Sequence, residues 1–181
     1  MRTLITNLRG KCLFNASMKT QAEGLIILSG KIHRKTELDK FIKGGEINID
    51  SEDPIEICAK MSEIINGAKK HGEVFIACGG DGLGSLLNFV ANKEGANAIF
   101  SCFNDSIIRI PVMKLDISKT RLKILEFLSS EDLNASEIGE KTNISKAMVY
   151  KHLSGLMDIG LVEKSRYFEK YSITSAGRIA I

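Results

Sequence analysis

The sequence predicts an α/β chain in two parts. A mostly parallel sheet lies between helices and ends in an antiparallel hairpin, and a small unit of three helices and a hairpin follows. Three observations carry this. Leu25-Ile26-Ile27-Leu28 and Val74-Phe75-Ile76-Ala77 are unbroken apolar runs, the mark of strands buried on both faces. Helical periodicities separate such runs, as in a parallel sheet. After Met113 the alternation stops, and three closely spaced helix-start signals appear.

Each element has its own signal. Leu4-Ile5-Thr6 is a strand, and residues Lys11 to Glu23 a short helix. The run at Leu25 ends at Ser29-Gly30, a weak helix covers Thr36 to Lys43, and Ile47 to Asp50 alternates as a strand. Asp53 caps the next helix, Pro54 suits its first position, and Glu56 completes a capping box. Ile57, Cys58, Met61, Ile64, Ile65 and Ala68 repeat at helical spacing until His71-Gly72. The strand at Val74 is followed at once by Gly79-Gly80-Asp81-Gly82-Leu83-Gly84 and by a helix from Leu86 to Asn92. Strands Ala98 to Phe103 and Ile107 to Val112 are joined by a turn at Asn104-Asp105-Ser106.

Composition bounds what such a chain does. With 181 residues, 44% hydrophobic and 26% charged, it has the balance of a globular chain of one large or two small domains. No apolar run reaches the roughly 18–20 residues of a membrane-spanning helix. The N-terminal apolar stretch is too short for a signal peptide, so the expected compartment is the cytoplasm, with no membrane partner. Cys12, Cys58, Cys78 and Cys102 show no paired metal-ligand spacing, so they are expected to be reduced and buried. His33, His71 and His152 are scattered, and neither a metal site nor a catalytic triad is expected. The net charge of +3 is too small to argue for nucleic acid by itself.

The local placement of charge argues more. Ser118 can cap a helix holding Leu122, Ile124, Leu125, Phe127 and Leu128, and Asn134 with Glu137 forms a second cap signal. The turn Asn143-Ile144 opens a third helix that Gly160 ends, and Leu161 to Lys164 with Lys170 to Thr174 forms a hairpin. Three helices and a hairpin make a winged helix-turn-helix. In the third helix Val149, Leu153 and Leu156 share one face, so Ser145, Lys146, Ala147, Tyr150 and Lys151 face outward. No acidic residue occurs from Ser145 to Met157, which suits a helix meeting phosphates in a major groove. Lys164, Arg166, Tyr167 and Lys170 in the hairpin are candidates to clamp the adjacent DNA backbone. The ten basic and nine acidic residues from Leu115 onward leave protein contact open as another use of this domain. The segment Ile144 to Leu153, then Gly160-Leu161-Val162, then Tyr171 to Arg178, resembles the winged-helix domains of the ArsR and MarR classes. The resemblance implies binding of double-stranded DNA.

In the first part, Gly79, Gly80, Asp81 and Gly82 follow a buried strand, and Thr6, Asn7, Leu8, Arg9 and Gly10 follow another. Loops at the C-terminal ends of neighbouring parallel strands are where ligands bind in doubly wound sheets. Glycines there let backbone N–H groups approach an anion. A side chain at Gly80 or Gly82 is expected to block a phosphate and to meet a positive φ. Arg9, Lys11 and Lys31 are the candidate positive groups.

Residues 1–114 look like the CRISPR-associated Rossmann-fold sensor domain, CARF, on four segments: Arg2 to Asn7, Ile47 to Asp53 feeding a long helix, Val74 to Gly82, and Ile108 to Val112. Residues 115–181 are then the winged helix, and the joined pair is similar to archaeal CRISPR-associated regulators. The resemblance implies a homodimer, a cyclic oligoadenylate bound across its two-fold axis, and control of CRISPR-related genes, with no other cofactor. Asp81 departs from the Thr, Ser or basic residue of many relatives, and it suits a ribose hydroxyl better than a phosphate. Gly79-Gly80-Asp81-Gly82 also resembles the GGDG motif of NAD and diacylglycerol kinases. The alternative function is therefore a nucleotide-acting enzyme, a cyclic-oligoadenylate hydrolase or a GGDG-type kinase, with the winged helix as scaffold.

Overall fold

A computed structural model describes residues 1–30, 45–113 and 117–181. The chain divides into two compact units, Met1–Leu115 and Asp116–Ile181. The expected helix over Thr36 to Lys43, together with Lys31 and His33, lies outside the described residues.

The first unit runs β1 (Arg2–Thr6), α1 (Gly10–Thr20), β2 (Gly24–Ser29), β3 (Gly45–Asn48), α2 (Pro54–Lys69), β4 (Glu73–Cys78), α3 (Gly82–Lys93), β5 (Ala98–Phe103) and β6 (Ser106–Ile110). Its sheet has the order β3-β2-β1-β4-β5-β6. All pairs are parallel except β5 with β6. The expected α/β class and antiparallel end are thus present.

The strand order reverses between β1 and β4. From β1 the chain winds outward through β2 to β3, returns to β4, and continues the other way. Thr6 pairs with Ala77, so the two strands end level and their loops leave the sheet side by side. On one face Leu4, Ile27, Ala77 and Phe100 pack under Leu13 and Ala16 of α1. Alternation turns Ile5, Ile76 and Ile99 to the other face, where Met61 and Ile65 of α2 and Leu87 of α3 are also fully buried. Asn104 (φ 47°) and Asp105 (φ 61°) are both left-handed, as a two-residue hairpin turn matching the strand twist requires.

Two expectations need correction. Asp53 does cap α2, accepting from the Ile55 N–H at 2.9 Å. Glu56 does not close a capping box: its carboxylate accepts from the Ser51 hydroxyl at 2.7 Å, and that hydroxyl takes the Asp53 N–H instead. The cysteines also differ. Cys12 and Cys102 form a disulfide across a Cα–Cα distance of 6.1 Å, tying α1 to β5, because α1 packs against β1 and β6 and β6 is the partner strand of β5. Cys58 and Cys78 are free and buried as expected.

Burial, and then the charge of Asp81, push the Cys78 thiol up to about 12. Burial also raises Cys58, with Lys93 opposing it. A raised thiol pKa favours the fold in full below the ordinary value of 9.0, and the Cys78 contribution is lost as pH climbs towards about 12. Labelling with an aromatic disulfide reagent is expected to find no fast thiol in the folded chain and two after unfolding. Two fast thiols in the folded chain would show Cys12 and Cys102 reduced.

The second unit runs α4 (Lys119–Ser130), β7 (Leu133–Asn134), α5 (Ala135–Thr142), α6 (Lys146–Asp158), β8 (Val162–Lys164), β9 (Lys170–Ile173) and α7 (Ser175–Ala180). Its antiparallel sheet has the order β7-β9-β8. Leu125, Leu128, Ile138, Val149, Leu153, Leu156 and Tyr171 form its core. Among the described residues no helix is long and apolar enough to cross a membrane.

Candidate functional site

Two sets of residues were singled out, one in each unit. In the first unit the β1 and β4 loops do meet. The Asn7 carboxamide bridges them, accepting from the Gly79 N–H at 2.8 Å and donating to Asp81 Oδ1 at 2.7 Å. The same Asp81 oxygen accepts from the Gly84 N–H at 2.6 Å and so caps α3. Asn7 and Asp81 therefore hold the loops in register before any ligand is considered.

Thr6 and Leu8 are turned inward, contrary to a role on the loop surface. The buried Thr6 hydroxyl donates to the Ala77 carbonyl at 2.6 Å and accepts from the Leu8 N–H at 3.0 Å, while the Leu8 side chain is buried. They support the loop. Arg9, expected to offer positive charge, pairs with Glu46 at 2.6 Å, and Lys11 pairs with Asp105 at 3.3 Å. Gly10 does have a positive φ, +54°.

The glycine loop splits into two kinds of position. Neither Gly80 nor Gly82 has a positive φ, and a Cβ at either would meet nothing within 4 Å. The expected backbone constraint there is therefore corrected: the fold leaves open space over both. Gly84 is different. A Cβ on it would lie 2.0 Å from the Gly79 carbonyl oxygen and 2.9 Å from Asn7 Nδ2. Sequence reasoning passed over Gly84 because nothing local marks the closeness of the α3 start to the loop.

Chemically, this end of the sheet offers the Asp81 carboxylate and a bound-up Arg9, while the Leu8, Gly79 and Gly84 N–H groups already donate to Thr6, Asn7 and Asp81. The Cys78 thiol just before the loop stays protonated at neutral pH and is no nucleophile there. Among the described residues no group of three or more His, Cys, Asp or Glu side chains is placed to hold a metal ion.

In the second unit the helix pair is built by caps. Asn134 and Glu137 close a full capping box on α5. Asn143 ends α5 in the left-handed region at φ 57°. A Cβ on Gly139 would already lie 3.0 Å from the Ile144 carbonyl oxygen, so this small residue lets the turn fold tightly back. The Ser145 hydroxyl accepts from the Met148 N–H at 3.4 Å and caps α6.

With Val149, Leu153 and Leu156 fully buried, α6 exposes Ser145, Lys146, Ala147, Met148, Tyr150 and Lys151. Met148 on this face was not anticipated. Lys164, Arg166 and Lys170 of the hairpin are exposed as well. A cavity of about 170 Å³ joins the two regions, lined by Asn134, Ala135, Ser136, Lys146, Tyr150, Lys164, Glu169 and Tyr171. Lysines from α6 and β8 thus share one concavity with the N-terminal turn of α5. That arrangement suits an anionic backbone. Tyr167 and Phe168, at the hairpin tip, are the most exposed aromatic side chains of this unit, at 88% and 72%.

The family model described as bacterial regulatory protein, arsR family, matches residues 118–164, so this stretch is similar to the helix-turn-helix of that family. Two solved structures of ZitR from Lactococcus lactis are similar at 26% identity. One is the wild type in complex with DNA, covering 36% of this chain and 49% of its own, with a TM-score of 0.33. The other, a cysteine-to-serine mutant, covers 39% and 53%, also at 0.33. This chain spans about half the length of those proteins. No curated protein matches it.

Proposed function

We propose that this chain is a DNA-binding transcriptional regulator that reads the major groove with α6 and senses an anionic nucleotide with its first unit. In its finer form the ligand is a cyclic oligoadenylate bound by a cytoplasmic homodimer, and the regulated genes are CRISPR-related. The carrying observation is the exposed face of α6. It holds Lys146, Tyr150 and Lys151, has no carboxylate until Asp158 at the helix's last turn, and lies within the segment matching the arsR family. The sensing half is supported by the side-by-side β1 and β4 loops and the open space over Gly80 and Gly82.

The enzyme reading, hydrolase or GGDG-type kinase, rests on Asp81. Its Oδ1 accepts two hydrogen bonds that cap α3 and join the loops, which accounts for an aspartate there without chemistry.

Sensing and DNA binding test each other through linkage: a ligand changes DNA affinity only by favouring one DNA-binding state. Titrating a selected duplex with and without cyclic tetra-adenylate is expected to change Kd at least about fivefold. Gly82→Val should keep the wild-type melting curve and Kd without ligand, and lose the change with it. Equal Kd values for wild type under both conditions would end the sensing half. Failure to bind any duplex would end the DNA half.

A further inference from the structure

The tip of the β8–β9 hairpin carries two large aromatic side chains that the core does not use. The unit's core takes Tyr171, 4% exposed, whereas Tyr167 and Phe168 stand almost wholly in solvent. Two adjacent exposed aromatics on a turn gain nothing from burial. They are nevertheless held in place. Ser165 Oγ accepts from the Tyr167 N–H at 3.3 Å and the Phe168 N–H at 3.2 Å, and the Ser165 N–H donates to the Lys170 carbonyl at 2.9 Å. The turn is thus a small platform with a fixed backbone and an apolar end.

Charge around it points to the occupant. Lys164, Arg166 and Lys170 flank the tip, against Glu163 and Glu169, and all five are exposed. The root of the hairpin is tied to α6 by the shared cavity, where Lys164 meets Lys146 and Tyr150. A duplex seated on α6 therefore reaches the hairpin along its backbone, and the next feature it presents beyond those phosphates is a minor groove.

We propose that Tyr167 and Phe168 form an apolar wedge that enters the minor groove beside the α6 site and opens one base step, bending the duplex. Arg166 and Lys170 hold the phosphates on either side. Opening is cheapest at pyrimidine–purine steps such as TpA and CpA, so the wedge sets sequence preference without reading a base edge. The proposal rests on α6 being the DNA-reading helix and adds a second, shape-based contact to it.

The test uses the full chain and duplexes about 30 base pairs long selected from a random library by the wild type. Bending is read by energy transfer between end labels, and base opening by 2-aminopurine placed at the wing-side step. The Tyr167→Ser/Phe168→Ser double variant is expected to keep its melting temperature, since no burial is lost. It should bind the selected duplex about tenfold more weakly, lose the bend and the 2-aminopurine signal, and lose any TpA or CpA preference. Lys151→Ala should weaken binding while leaving the bend of the bound fraction intact. A double variant with wild-type affinity and bend overturns the wedge and leaves DNA binding standing. A double variant that instead loses self-association shows that the tip contacts a second copy, which also overturns it. A wild type that selects no duplex overturns both the wedge and the reading beneath it.

Discussion

Gly84→Ala is expected to destabilise the first unit by about 3 kcal/mol or more, at the upper end of what overpacking costs. The added methyl would sit 2.0 Å from a backbone carbonyl oxygen, that of Gly79, which cannot rotate away as a flexible side chain can. Relief requires the start of α3 to move off the loop. That movement breaks the cap in which Asp81 holds the Gly84 N–H and, with it, the Asn7 bridge to β1. Melting of the first-unit transition should fall by roughly 10 °C or more. Gly80→Ala and Gly82→Ala, whose methyls meet open space, should melt like wild type. Equal melting for all three variants would show that α3 does not press on the glycine loop as described. The contrast also divides the motif by role: Gly84 is there for the fold, and Gly80 and Gly82 are left available for function.

That division shows what a sequence reveals and what it does not. Strands and helices of the first unit were legible because apolar runs and helical periods are local. So were the Ser118 and Asn134–Glu137 caps, whose partners lie within three residues. The pairing of Asn7 with Asp81, of Arg9 with Glu46 and of Cys12 with Cys102 was not legible. Each joins segments brought together only by the order β3-β2-β1-β4-β5-β6. Reduced cysteines were expected from compartment alone, an argument that contains no distance. Helix α7 was missed for a different reason. Thr174-Ser175-Ala176-Gly177 has weak helix propensity, and the helix forms because Thr174 caps the Gly177 N–H. Gly177 then packs so near β9 and Leu161 that no Cβ would fit. At the site, residue identity predicted exposure well on α6, where one apolar face fixes the other. It predicted poorly in the β1 loop, where Thr6 and Leu8 turn inward to support the backbone.

Lys146→Ala/Lys151→Ala is expected to weaken binding of the selected duplex about 10- to 100-fold and to lower the slope of log Kd against log salt by about two. Both side chains are exposed on α6, and the core contacts of Val149, Leu153 and Leu156 are untouched, so melting of the second unit should be unchanged. The slope discriminates more sharply than the affinity. Each phosphate neutralised by a lysine releases condensed counterions, so losing a true phosphate contact alters the salt dependence, whereas a general loss of fit does not. The single variants separate the two uses of a lysine. If Lys151 touches phosphate, Lys151→Ala weakens selected and random duplexes alike. If it reaches a guanine edge, only the selected duplex suffers and the slope holds. Wild-type affinity and slope in the double variant would remove this face of α6 from the interface. The acid-free stretch from Ser145 to Met157 would then have to be explained by contact with a protein, the use that ten basic and nine acidic residues left open for this domain.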